Sequence, residues 1–99
     1  MRPLPEPQAR PTLVFFYSRR SGRSRRAEGF LAQVLQRRRN HDTFWFRPIE
    51  YETHLELAAR MGVAEPPAIV VIEDRRVRAR LKQPRGCAEI TALLDPWLK

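Results

Sequence analysis

A chain of 99 residues, 42% apolar and carrying a net charge of +8, fits one small domain able to bury a core of its own. Its single cysteine, Cys87, closes no intramolecular disulfide, and with His41 and His54 it matches no metal-ligand spacing, so neither a metal nor another cofactor is expected. No apolar run approaches the roughly 18 residues of a bilayer-spanning helix, and the opening MRPLPEPQARP lacks the apolar stretch of a secretory signal, which makes a cytoplasmic location without membrane contact the expectation.

Residues 1–11 hold four prolines and few apolar side chains, and read as a disordered or extended arm before a domain over residues 12–99. Thr12–Tyr17 (TLVFFY) is a short run of β-formers fit for a fully buried strand. A helix is expected to begin within Ser18–Arg26, with Ala27, Phe30, Leu31, Val34 and Leu35 as its apolar face. Arg37, Arg38 and Arg39 then suit the negative end of its dipole, and Asn40 is a plausible stop. Thr43–Ile49 (TFWFRPI) is a second strand, placed at an edge or a terminus by Pro48. Thr53 and Glu56 have capping-box spacing ahead of a second helix with Leu55, Ala58, Ala59 and Met61 on its apolar side and Gly62 at its end. Ala68–Ile72 (AIVVI) is the most continuous apolar run and reads as a central strand. After a charged turn at Glu73–Arg76, Val77, Ala79 and Leu81 alternate with Arg78, Arg80 and Lys82, the pattern of a half-exposed strand. Ile90, Leu93, Leu94 and Trp97 mark a last helix that Pro96 ends near Asp95.

The order β-α-β-α-β-β-α predicts an α/β fold, a four-stranded mixed sheet flanked by three helices. Helical crossovers would set the first three strands parallel, with the fourth returning as a hairpin. This order resembles the thioredoxin-like superfamily over about Thr12 to Leu98. TLVFFYSRRSGRS is similar to the strand and loop that lead into the C-G-x-C motif, which sets Ser21, Gly22, Arg23 and Ser24 on the four motif positions. MGVAEPPAIVVIE is similar to the segment in which a cis-proline precedes a buried strand, and Pro67 falls on that proline. RPIEYETHLELAARMGV is similar to the strand, acidic turn and short helix between them.

The resemblance implies what the chain has lost. In a thioredoxin the first motif cysteine attacks a disulfide as a thiolate and the second resolves the mixed disulfide. Here both are serine, the family's buried acid aligns with Phe15, and the tryptophan before the first cysteine aligns with Arg20. Dithiol–disulfide exchange is therefore not expected. The family's other capacity, pairing of the backbone beside the cis-proline with an extended peptide, needs no sulfur.

The reading that follows is a non-catalytic module that binds a protein or peptide partner at a face formed by Arg20, Arg23, Arg25 and Pro67. Arginines crowded around a helix start favour an acidic partner, with Gly22 leaving room for close backbone approach. A solvated basic loop with Ser21 or Ser24 as helix cap is the plainer account. The excess of arginine over lysine, 17 to 2, also fits a GC-rich codon composition. Two readings of other classes stand beside it. Cys87, near Arg85 and the last helix start, suits a residual single-thiol oxidoreductase as well as a partly buried structural cysteine. The net charge suits a basic nucleic-acid-binding accessory, although the loop has few aromatics for base stacking. His41 and His54 read as surface residues.

Overall fold

In the computed structural model, residues 10–37 and 43–98 are described. The elements are β1 (Thr12–Tyr17), α1 (Gly22–Gln36), β2 (Trp45–Glu50), a 3-10 turn (Tyr51–Thr53), α2 (Leu55–Arg60), β3 (Ala68–Glu73), β4 (Arg76–Lys82) and α3 (Cys87–Leu94). The four strands form one sheet in the order β2-β1-β3-β4. This is the expected α/β architecture, a four-stranded mixed sheet with three helices.

The two apolar runs occupy the two central positions. Leu13, Val14, Phe15 and Phe16 are all buried, as are Ala68, Ile69, Val70 and Val71, because both faces of the inner strands are covered. Alternate residues serve opposite layers. Leu13, Phe15, Ile69 and Val71 meet Ala27, Leu31 and Val34 of α1 and Ile90 and Leu94 of α3. Val14, Phe16, Ala68 and Val70 meet Ala58 and Val63 at α2. Each large side chain so buried contributes about 1.5–3 kcal/mol of transfer free energy. Phe44, just before β2, packs edge-on against Trp97 at 6.4 Å, closing the far end of the first layer.

The strand directions differ from expectation. β1 and β2 are parallel, but β3 runs antiparallel to β1, with Phe16 opposite Ala68 and Thr12 opposite Ile72. The reason is length. The six residues of α2 rise only about 9 Å, whereas a six-residue strand extends about 20 Å. The chain therefore stays at the end of the sheet where β2 finished and enters β3 from there. Only α1 is long enough to return the chain for a parallel neighbour.

Smaller differences have local causes. β2 starts at Trp45 rather than Thr43, since Thr43 and Phe44 turn inward and are buried. Thr53 does not cap α2: its hydroxyl donates to the Glu50 carbonyl, and His54 takes the cap position without a side-chain bond. The buried side of α2 is Leu57, Ala58 and Met61, while Leu55 is 55% exposed and Ala59 is exposed. The domain begins before residue 12, because Pro11 is buried and accepts the Trp45 N–H at 2.9 Å, with the Arg10 guanidinium 4.8 Å from the Trp45 ring centre. Arg37 is the C-cap of α1. Arg38, Arg39, Asn40 and His41, and the arm up to residue 9, lie outside the described residues.

Four described residues have left-handed backbone, Gly62, Asp74, Arg75 and Gln83, and only one is glycine. Gly62 has φ +75° and ends α2 in a Schellman motif, with Val63 N–H bonded to Ala58 O at 2.8 Å and Gly62 N–H to Ala59 O at 3.0 Å. A β-carbon at Gly62 would also run into the Arg80 guanidinium. The β3–β4 hairpin turns through Asp74 and Arg75, with φ +55° and +65°, the pair of positive angles of a type I′ turn. Gly62→Ala is expected to lower stability by about 1–2 kcal/mol, and Arg75→Gly to raise it by up to about 1 kcal/mol, left-handed strain outweighing glycine's extra unfolded-state entropy. Urea unfolding of both variants checks the opposite signs.

Candidate functional site

The end of the sheet where β1 finishes and β3 begins holds the residues singled out in the sequence. Ser18 follows β1, the chain turns through Arg19 and Arg20, and α1 starts after Ser21. Three serines fix this corner. The Ser21 N–H bonds to Ser18 O at 3.2 Å, and the Arg20 N–H to Ser18 Oγ at 3.2 Å. Ser21, extended at φ −110° and ψ 120°, is the N-cap, its Oγ accepting the Ser24 N–H at 3.2 Å. The buried Ser24 Oγ in turn accepts the Ser18 N–H at 2.9 Å. Both motif serines are thus engaged as acceptors for backbone donors. Among the described residues, no His, Asp or Glu side chain is hydrogen-bonded to either, so no base activates a hydroxyl there. Phe15, where the resemblance would put an acid, is a core residue stacked on Tyr17 at 6.2 Å.

The candidate arginines separate. Arg19 pairs with Glu50 across the end of the sheet at 3.5 Å, and Arg20 is exposed. Arg25 lines a hollow with Tyr17, Ser18, Arg19, Ser24 and Glu28. Arg23 lines a different groove, of about 300 Å³, between α1 and the loop from β4 to α3, with Arg26, Phe30, Gln83, Pro84 and Arg85. Arg26 and Arg85 were not among the candidate residues. Arg23, Arg26 and Phe30 follow i, i+3, i+7 spacing, a signal visible in the sequence. Arg85 joins them only through the tertiary fold. A β-carbon at Gly22 would meet only Arg26 Nη1, at 3.9 Å, so nothing within the chain itself requires glycine there.

Pro67 stands at the same end of the sheet, immediately before β3, and the Pro66–Pro67 bond is cis. Its place qualifies the expected peptide pairing. Pro67 is fully buried, and its carbonyl already accepts the Gln83 N–H at 2.8 Å. Neither proline has an N–H to offer. Pro67 thus has no amide to donate to an incoming backbone, and its carbonyl is already engaged within the fold.

The residues of the alternative readings lie apart. Cys87 opens α3 and points its thiol at α1, with Sγ 3.0 Å from Gln33 Oε1 and 3.7 Å from Phe30 O. Phe30 is nine residues along α1 from Ser21, roughly 13 Å of helix. Cys87 is therefore not part of the serine corner. His54 is exposed and bonded locally to Thr53 Oγ1 at 2.9 Å and Glu50 O at 3.1 Å. Among the described residues, no three His, Cys, Asp or Glu side chains converge on a metal-sized site, and no helix is long and apolar enough to cross a membrane. The exposed aromatics Trp45 and Phe46 begin β2, opposite Thr12 and Leu13, at the end of the sheet away from the serine corner.

The architecture as a whole recurs in known structures. The chain superposes on Fasciola hepatica thioredoxin with a TM-score of 0.75 at 17% identity, over 95% of this chain and 86% of that one. Desulfothioredoxin from Desulfovibrio vulgaris Hildenborough gives 0.74 at 21% identity, over 88% and 81%. The germline-specific thioredoxin Deadhead of Drosophila melanogaster gives 0.75 at 17% identity, over 93% and 85%. This is a thioredoxin-like fold. The sequence itself matches no protein-family model and no curated protein, so the likeness to thioredoxins is carried by the backbone.

The thioredoxin-like corner is held by hydroxyls, and their removal is measurable. Ser24→Ala strands the buried Ser18 N–H and should cost about 1–3 kcal/mol. Ser21→Ala loses only the helix cap and should cost about 0.5–2 kcal/mol. Chemical denaturation that ranks Ser24→Ala as the more damaging variant supports the network; the reverse order contradicts it.

Proposed function

We propose that this thioredoxin-like protein is a binding module for an acidic protein or peptide partner, without dithiol exchange. The observation that carries the reading is the use made of the serines. Where a dithiol protein needs an exposed nucleophile and a buried resolver, Ser21 and Ser24 are acceptors in a network that holds the helix start. Around that corner Arg20 and Arg25 are exposed, and among the described residues neither is in an ion pair. Uncompensated guanidinium groups beside a helix N-terminus raise the local potential, which an acidic partner relieves. Contact through arginine side chains also suits a corner whose prolines leave little backbone for pairing.

The single-thiol reading gains no support from geometry, since Cys87 is partly buried and hydrogen-bonded to α1. The nucleic-acid reading would need its stacking side chains beside the arginines of the serine corner, whereas Trp45 and Phe46 sit at the other end of the sheet, with Arg10 beside Trp45.

Two measurements test the proposal. Insulin-disulfide reduction with a supplied electron donor should show no turnover above background; turnover abolished by Cys87→Ala would favour the single-thiol enzyme instead. A fluorescent glutamate-rich peptide should bind with an affinity that falls as salt rises, and Arg20→Gln with Arg25→Gln should weaken it by roughly tenfold, about 1.4 kcal/mol. Equal affinity for a lysine-rich peptide, or no loss in the double variant, refutes an acidic-partner site.

A further inference from the structure

The hollow at the serine corner includes the carboxylate of Glu28, whereas the groove between α1 and the β4–α3 loop is lined by arginines alone among charged residues. Its lining holds three guanidinium groups, Arg23 and Arg26 from the helix and Arg85 from the loop, and no carboxylate. Among the described residues none of the three is in an ion pair. The carboxylate of Glu89 accepts the Arg85 backbone N–H and does not line the groove. Arginine stays charged at any physiological pH, so the three groups repel one another in a hollow of about 300 Å³ until an anion enters.

The number of donors selects the anion. A carboxylate has two oxygens, and one guanidinium satisfies both in a bidentate pair. A phosphomonoester carries close to two charges at neutral pH and presents three terminal oxygens, matching three guanidinium groups. Phe30 and Pro84 add apolar wall for the carbon atoms that carry the phosphate. The groove is also tied to the proline corner. Gln83, on its rim, is bonded through its backbone to Pro67 O at 2.8 Å and through its side chain to Glu65 at 2.8 Å. Gln83 thus joins the groove it lines to the carbonyl of Pro67 at the corner, so the two lie side by side.

We propose that this groove binds a phosphorylated side chain of a partner peptide. The inference rests on the partner-binding reading above and names its chemistry. A fluorescent hexapeptide library with a fixed central phosphoserine is titrated beside the same library with serine, against wild type, Arg26→Gln/Arg85→Gln and Arg20→Gln/Arg25→Gln, at one ionic strength. Wild type is expected to bind the phosphoserine library at least about tenfold more tightly. Arg26→Gln/Arg85→Gln should abolish that preference, while Arg20→Gln/Arg25→Gln should weaken both libraries and keep it. Free inorganic phosphate should compete only at far higher concentration, as expected when the peptide carries the phosphate; competition at equal concentration would assign the groove to free phosphate and overturn the proposal. Equal binding of the two libraries, or a preference that survives Arg26→Gln/Arg85→Gln, overturns the phosphate site and leaves the partner-binding face standing. Failure of both libraries to bind wild type overturns both.

Discussion

A single buried hydrogen bond, from the Ser18 N–H to Ser24 Oγ at 2.9 Å, ties the end of the central strand β1 to the first turn of α1. A buried amide left without an acceptor would cost about 1–3 kcal/mol, and here the acceptor sits on the helix that the turn must position. The bond sets the direction in which α1 leaves the sheet. With it come the inward aim of Ala27, Leu31 and Val34 and the outward aim of Arg23, Arg25 and Arg26, which precede them in the first turns. Core packing and surface charge at this corner thus depend on the same contact. A serine hydroxyl is small enough to be buried under the turn and polar enough to be needed there.

Much of this was legible from residue pattern. The apolar runs at Thr12–Tyr17 and Ala68–Ile72 announced the two inner strands, and the spacing Ala27, Leu31, Val34 announced the long helix. Gly62 marked the end of α2 correctly because a left-handed residue there has few alternatives. What local pattern missed was set by distance. The direction of β3 depends on whether six helical residues can span a strand, and Thr53 lost the cap position because its hydroxyl found the Glu50 carbonyl first. In the same way the sequence drew attention to Arg20, Arg23 and Arg25 as neighbours along the chain. The fold sends Arg23 and Arg25 to different hollows and brings in Arg85 from 62 positions away.

The likeness to thioredoxins at 17–21% identity shows how far a sequence can differ while the backbone architecture stays the same. The strand–turn–helix corner, with serines at positions 18, 21 and 24, is supported from behind by Phe15, Leu31 and Ile69 packing in one layer. Function on such a scaffold is carried by the side chains around the corner, and these can change while the backbone stays.

The two outer strands have a consequence for how the molecule behaves in company. β2 carries Pro48 in its middle, which removes one amide from an open margin. β4 pairs Val71 with Ala79 but Ile72 with Val77, so Arg78 is an extra residue that breaks the spacing of the ladder. Arg76, Arg80 and Lys82 add like charge along the same strand. A second sheet approaching either margin meets a missing donor on one side and a kinked, cationic row on the other. Growth of the sheet from molecule to molecule, the route by which exposed strands seed fibres, is blocked at both sides. The two buried apolar strands are in this way flanked by margins that discourage sheet-to-sheet pairing, while the arginine-rich corner stays open.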